Sequence, residues 1–234
     1  MKFFFALLFF LIVWLDNKAQ EKRYPFHQLY QLDSIGKTSS ITRHFGELYF
    51  NFLCLVEKQL KKSDTATLRL VRHFEMVFAQ FYIDACKAHQ NKEQIPLQAW
   101  RAYFTDTTLE SFQYNLLGTN AHLNGGLAEA IAGSYTAEEW KLVKKKYYLF
   151  NTCLNKTYRL VYNETIRNNK RARGLHVLSL GLDKILGQYY LYKWRKRQMR
   201  LTEYYFTGSS RYKKLVNRIN GKKEKIDRLV CTQF

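Results

Sequence analysis

Apolar residues recur three and four positions apart along most of this 234-residue chain. That is the spacing of one face of an α-helix. Phe45, Leu48, Tyr49, Phe52, Leu55 and Val56 make one such face, in a helix predicted to start at a Ser39 or Ser40 cap and to run to about Lys61. Asp64 caps a second, predicted through about His89, with Leu68, Val71, Met76, Phe78, Phe81 and Tyr82 on its apolar side. Pro96 opens a short helix ending near Phe104. Thr107 with Glu110 reads as a capping box for the next helix, and Thr136 with Glu139 as another, starting a long basic helix to about Asn169. Residues 175–206 read as a further long helix. Ser210 starts a last segment that weakens at Gly221, because glycine costs a helix about 1 kcal/mol relative to alanine. No alternating strand pattern and no internal repeat appears, and the prolines are only Pro25 and Pro96. The expected fold is all-α: a single domain over residues 20–234, built as a helical bundle of about six to seven helices.

The first twenty residues follow another rule. Lys2 precedes an unbroken apolar run from Phe3 to Leu15, and Asp16-Asn17-Lys18-Ala19-Gln20 follows it. A basic start, an apolar stretch too short to span a bilayer and a polar exit are the layout of a secretory signal peptide. Residues 1–19 are expected to be cleaved after Ala19, and the protein to be exported to the periplasm or beyond. The alternative is an uncleaved N-terminal anchor. No later segment is long and apolar enough to span a membrane.

Charge adds an asymmetry. Residues 141–234 hold 24 of the 38 basic side chains and only 5 of the 19 acidic ones, so they carry the whole net charge of +19. The densest run is Lys193-Trp194-Arg195-Lys196-Arg197. For an exported protein this implies an anionic envelope partner: lipid head groups, polysaccharide or extracellular nucleic acid, though no specific nucleic-acid motif is present. The alternative is a basic face turned to water with no specific partner. Cys54, Cys86, Cys153 and Cys231 are widely spaced, without a C-x-x-C pair, and the first three fall in apolar helical patterns. Buried free thiols are expected.

The candidate chemistry lies in Leu116–Leu127, where Gly118, Asn120, His122, Asn124, Gly125 and Gly126 interrupt a buried helical pattern. Buried polar groups and helical glycines both cost free energy, so their coincidence points to packing or function. At helical spacing Asn115, Gly118, His122 and Glu129 share one stripe, with Asn120 and Asn124 beside it. His73, Gln80 and Asp84 share a face of the second helix, and Asp183 sits in an apolar stretch of the late helix. One reading is an acid–base or divalent-metal site, zinc for instance, drawn from His73, Asp84, His122, Glu129 and Asp183. His122, Asp84 and Glu129 are its catalytic candidates, with His122 and Asp84 its metal donors. The other reading is a polar network that fixes helix register, in which His122 is a core histidine. No H-E-x-x-H, G-x-S-x-G or P-loop pattern is present.

The Leu-Leu-Gly-Thr-Asn-Ala-His-Leu-Asn stretch ending at Asn124 resembles the signature of a bacterial domain-of-unknown-function family, number 5995. That signature is Gly-Met-Asn-Ala-His-Ile-Asn, then a variable residue, Asp and Leu. Phe74-Glu75-Met76-Val77-Phe78-Ala79 and Tyr82-Ile83-Asp84-Ala85 resemble the family's Phe-Glu-x-Val-Phe-Ala helix. Asp183, Trp194 and Arg200 resemble its late Asp…Trp…Arg segment. The likeness covers about residues 40–205 and brings no established activity. Where the family has Asp four residues after His, this chain has Gly126. That removes the obvious same-helix partner of His122, leaving Asp84 or Glu129 to supply a second donor. Two functions follow as expectations: a hydrolase, metal-dependent if its donors converge, or a non-catalytic envelope protein that binds an anionic partner through its basic half.

Overall fold

Short polar side chains fix where four of the helices begin, at Ser39, Asp64, Thr136 and Asn169. The computed structural model describes residues 26–232, apart from the side chains of Tyr148 and Leu149. The signal peptide expected at residues 1–19 lies outside the described residues. The first helix, α1 (His27–Ile35), buries only Leu29 and Leu32, too few to mark it by periodicity. At α2 (Ser40–Leu60) the Ser39 hydroxyl accepts the Thr42 N–H at 3.2 Å. At α3 (Thr65–Gln90) Asp64 accepts the Thr67 N–H at 2.8 Å. A 3₁₀ turn (Gln98–Trp100) leads into the short α4 (Arg101–Thr105). Then α5 (Ser111–Asn120), a π turn (Ala121–Gly126) and α6 (Leu127–Ser134) form one continuous rod. The long α7 (Ala137–Asn168) opens on the expected capping box, with Glu139 N–H on Thr136 Oγ1 at 3.2 Å and Thr136 N–H on Glu139 Oε2 at 2.9 Å. The chain closes with α8 (Lys170–Leu178), α9 (Leu182–Phe206) and α10 (Arg211–Thr232).

The described residues are all-helical, as expected, but hold ten α-helices rather than six to seven. Three differences have local causes. Thr107 does not cap α5: the Asp106 carboxylate takes the Thr108 N–H at 2.8 Å, and this Asx turn keeps residues 106–108 out of the helix. Glu110 caps it instead, its N–H donated to Gln113 Oε1 at 2.9 Å. The expected 175–206 helix breaks at residues 179–181. There Leu180 takes the left-handed position of the helix exit at φ +51° and donates its N–H to the Val177 carbonyl at 3.1 Å, while the Gly181 N–H returns to the His176 carbonyl at 3.0 Å. Finally, α10 does not weaken at Gly221. Ile219, Lys223, Asp227 and Val230 are buried around it, and that packing outweighs the propensity cost of one glycine.

The core is aromatic. Tyr49, Tyr82, Trp100, Tyr103, Tyr147, Phe45 and Phe74 are its largest sealed side chains. Their polar tips are met where they reach backbone: Tyr82 donates to the Thr42 carbonyl at 2.7 Å and Tyr103 to that of Ile41 at 2.6 Å. The α5–π–α6 rod runs through the middle, against α2, α3, α9 and α10. Two of its glycines are required by close approach. A methyl at Gly118 would overlap the Phe45 ring, and one at Gly125 would overlap the Ala99 methyl of the 3₁₀ turn. All four cysteines are free thiols; Cys86 and Cys153 are buried, but Cys54 lies exposed on α2, against expectation. No helix among the described residues is long and apolar enough to cross a membrane.

Candidate functional site

His122 is enclosed by rings. It stacks on Phe78 with centroids 3.4 Å apart, meets Tyr49 edge-on at 4.3 Å and Phe45 at 5.4 Å. Neither ring nitrogen has a hydrogen-bond partner among the described residues. Burial in this apolar box pushes its pKa well below 6.5, so the imidazole is neutral. Ordinary helical spacing brings it there: Gly118, one turn earlier, abuts the same Phe45 ring. The π turn that follows adds a residue to the helical repeat, so the stripe drawn at 3.6 residues per turn does not continue to Glu129.

Beside His122 lies a small cavity of about 40 Å³, room for about one water molecule. Its polar lining is Glu75 from α3, Arg195 from α9, Tyr49, Tyr147 and Thr119. Glu75 is buried, and burial raises its carboxyl to about 8 against the opposing pull of Arg195 and of the Tyr49 hydroxyl, 3.4 Å away. Arg195 is sealed as well. It donates to the Tyr147 carbonyl at 2.7 Å, lies over the Tyr147 ring, and burial lowers its pKa. The cavity thus joins a neutral imidazole, a carboxyl protonated at neutral pH and one fixed guanidinium. That set can exchange protons and can orient a small polar molecule.

Asn120 and Asn124 turn the other way. Asn120 donates to Asp227 Oδ1 at 2.8 Å and to the Lys223 carbonyl at 3.1 Å, while Asn124 donates to Asn120 Oδ1 at 2.8 Å. Lys223 and Asp227 form a buried ion pair on α10. Gln198 of α9 donates to the Asn124 carbonyl at 3.0 Å. These groups lock the rod to α9 and α10, which is the register-fixing role foreseen for the asparagines.

The other expected site residues do not gather at His122. Asp84 accepts from Gln80 at 2.7 Å, and Gln80 in turn accepts from Gln28 at 3.3 Å, tying α1 to α3. His73 and Glu129 are exposed on α3 and α6, and Arg200 is exposed on α9. Asn115 lines a surface cleft of about 180 Å³ between α2, α5 and α7. Trp194 is partly buried against the core. Asp183 belongs to a separate cluster at the α8–α9 turn. It is bonded to the Tyr162 hydroxyl, to Ser179 Oγ at 2.8 Å and to His176 Nδ1 at 3.2 Å. Burial works to raise its pKa, but these bonds outweigh it and hold the carboxylate at about 2.

A divalent metal does not fit at His122. Zinc needs at least three protein donors, whereas Glu75 is the one carboxylate in the cavity lining. Among the described residues no three His, Cys, Asp or Glu side chains are disposed to hold an ion. The His122–Asp84 pair does not form. At Gly126 a Cβ would stand 3.3 Å from the Phe81 ring and 3.5 Å from Phe78.

Glu75 and Arg195 were the residues hidden from sequence reasoning, yet both carry a signal. Glu75 stands three and seven residues before Phe78 and Tyr82, on the buried stripe of α3. Arg195 stands four residues from both Leu191 and Met199, on that of α9. No curated protein and no solved structure matches the chain. Over residues 27–233, longer at both ends than the motif likeness, the chain matches the model of a family of unknown function, DUF5995, and it belongs to that family.

Proposed function

We propose that this is an exported, envelope-associated protein that binds an anionic partner through its basic C-terminal half. One observation carries the reading. Lys193 and Arg197 of α9 and Arg218, Lys222 and Lys225 of α10 lie close enough for their charges to be felt together. Arg197 foremost, then Arg218, Lys193 and Lys225, depress the Lys222 pKa. None of the five has an acidic partner within 4 Å among the described residues. Like charges held together without counter-charges repel, and an anion relieves that cost. Heparin, as a generic polyanion, should bind at low salt and release as salt rises. Lys193→Glu with Lys222→Glu should weaken that binding sharply. Retention of full heparin affinity by this pair would sink the reading.

A second reading, hydrolysis by acid–base catalysis at the His122 cavity, is favoured by the two unpartnered ring nitrogens beside Glu75. It requires that ester or phosphodiester hydrolysis by the pure protein survive a chelator and vanish in both His122→Asn and Glu75→Gln. Activity unchanged in these variants would dismiss it.

A further inference from the structure

The turn between α8 and α9 is built from leucines that face solvent. Leu178 is 84% and Leu180 91% exposed, and Val177, Leu182, Ile185 and Leu186 stand exposed around them. Single exposed apolar residues are ordinary, but a contiguous run marks a contact surface. Leu180 is costly twice over. Its φ of +51° is a left-handed conformation that leucine resists and that asparagine or glycine would adopt more easily. The turn is nonetheless held in place from beneath by the Asp183 carboxylate, bonded to Tyr162, Ser179 and His176.

Charge says what covers it. From Arg167 to Arg200, leaving out the sealed Arg195, the chain has nine basic residues and one acidic residue, Asp183, which is already engaged at the turn. Lys170 and Arg173 open α8 about two turns from the leucines, and Lys184 lies over the Tyr162 ring on the other side. A second copy of this chain would bring the same positive field and be repelled. A polysaccharide or nucleic acid would satisfy the cations but leave the leucines in water. A surface with anionic heads above apolar chains meets both needs.

We propose that the α8–α9 turn inserts into the interfacial layer of an anionic lipid bilayer, with the basic residues of α8 and α9 resting on the head groups. The turn enters only the outer part of one leaflet, as interfacial helices do. This rests on the anion-binding reading above and names its partner as lipid.

The test compares the protein with two variants, Leu178→Asp/Leu180→Asp and Leu180→Asn. Each is measured for co-sedimentation with phosphatidylglycerol-containing vesicles, with pure phosphatidylcholine vesicles, and for heparin affinity. Burying one leucine is worth about a tenfold change in partition. The double variant should lose at least about that from binding to anionic vesicles and keep its heparin affinity. Leu180→Asn should melt no lower than the wild type, since asparagine suits the positive φ, and still bind vesicles more weakly. Undiminished vesicle binding by both variants would overturn the proposal, as would a wild-type dimer that the double variant turns into monomer. Heparin binding without vesicle binding would also overturn it while leaving the anion-binding reading intact. Loss of both in the wild type would end both.

Discussion

At the scale of the residue, Gly118 and Glu75 carry the sharpest expectations. A methyl at position 118 must displace Phe45, whose ring contacts Tyr82, Trp100 and His122. Gly118→Ala should therefore destabilise the fold by about 1–3 kcal/mol, despite alanine's better helix propensity. A denaturant midpoint equal to or above that of the wild type would contradict the packing. Glu75 and His122 set a pH profile. The Glu75 pKa is raised from 4.5 to about 8, so its contribution to stability is full below 4.5 and is lost as pH rises toward 8. That of His122 is depressed below 6.5, so its contribution is present above 6.5 and is lost as pH falls. Between those unfolded values unfolding releases one proton and takes up another, and the slopes cancel. Stability should be level from about pH 4.5 to 6.5 and then decline toward 8, by up to about 1.4 kcal/mol per pH unit. Urea melts of Glu75→Gln should lack the decline; a decline of the same size would assign it elsewhere.

At the scale of the element, the caps at Ser39, Asp64 and Thr136 were legible because each is a local bargain between one side chain and one or two backbone N–H groups. The break at Leu180-Gly181 was not. Leucines on either side continued the helical spacing, and the exit places a leucine, Leu180, in the left-handed conformation where glycine or asparagine would have marked the stop. Local sequence was also silent about convergence. His122, Asp84 and Asp183 each looked out of place on an apolar helix, but only tertiary packing decides that His122 faces Phe78 and Asp183 faces Tyr162, while Asp84 stays with Gln80 one turn back on its own helix. Arg195 was masked differently, by a run of cations of which it is the buried member. Gly221 offers a test of propensity against packing. A methyl there meets nothing within 4 Å, so Gly221→Ala should stabilise α10 by about 0.5–1 kcal/mol. An unchanged or lowered thermal midpoint would mean that the glycine serves something besides the helix.

At the scale of the whole molecule, the net charge of +19 opposes compaction, and its concentration in residues 141–234 makes α7 to α10 the part most sensitive to screening. Raising salt from about 0.01 M to about 1 M shortens the screening length from about 30 Å to about 3 Å. The melting temperature should rise across that range, and more so for the wild type than for Lys193→Glu/Lys222→Glu. A flat response in both would mean that the charges are already neutralised within the fold. The π turn sets a different constraint on the molecule, one of length. Such a turn is an insertion that a helix has absorbed, and everything after it keeps the phase that the extra residue imposed. Deleting one of Gly125 and Gly126 would restore an ordinary helix and rotate α6 by about 100°. Leu127, Ala130 and Ile131 would swing out of the core they now fill. The segment between Asn120 and Leu127 is therefore fixed in residue count as firmly as Gly125 fixes its composition at the contact with Ala99.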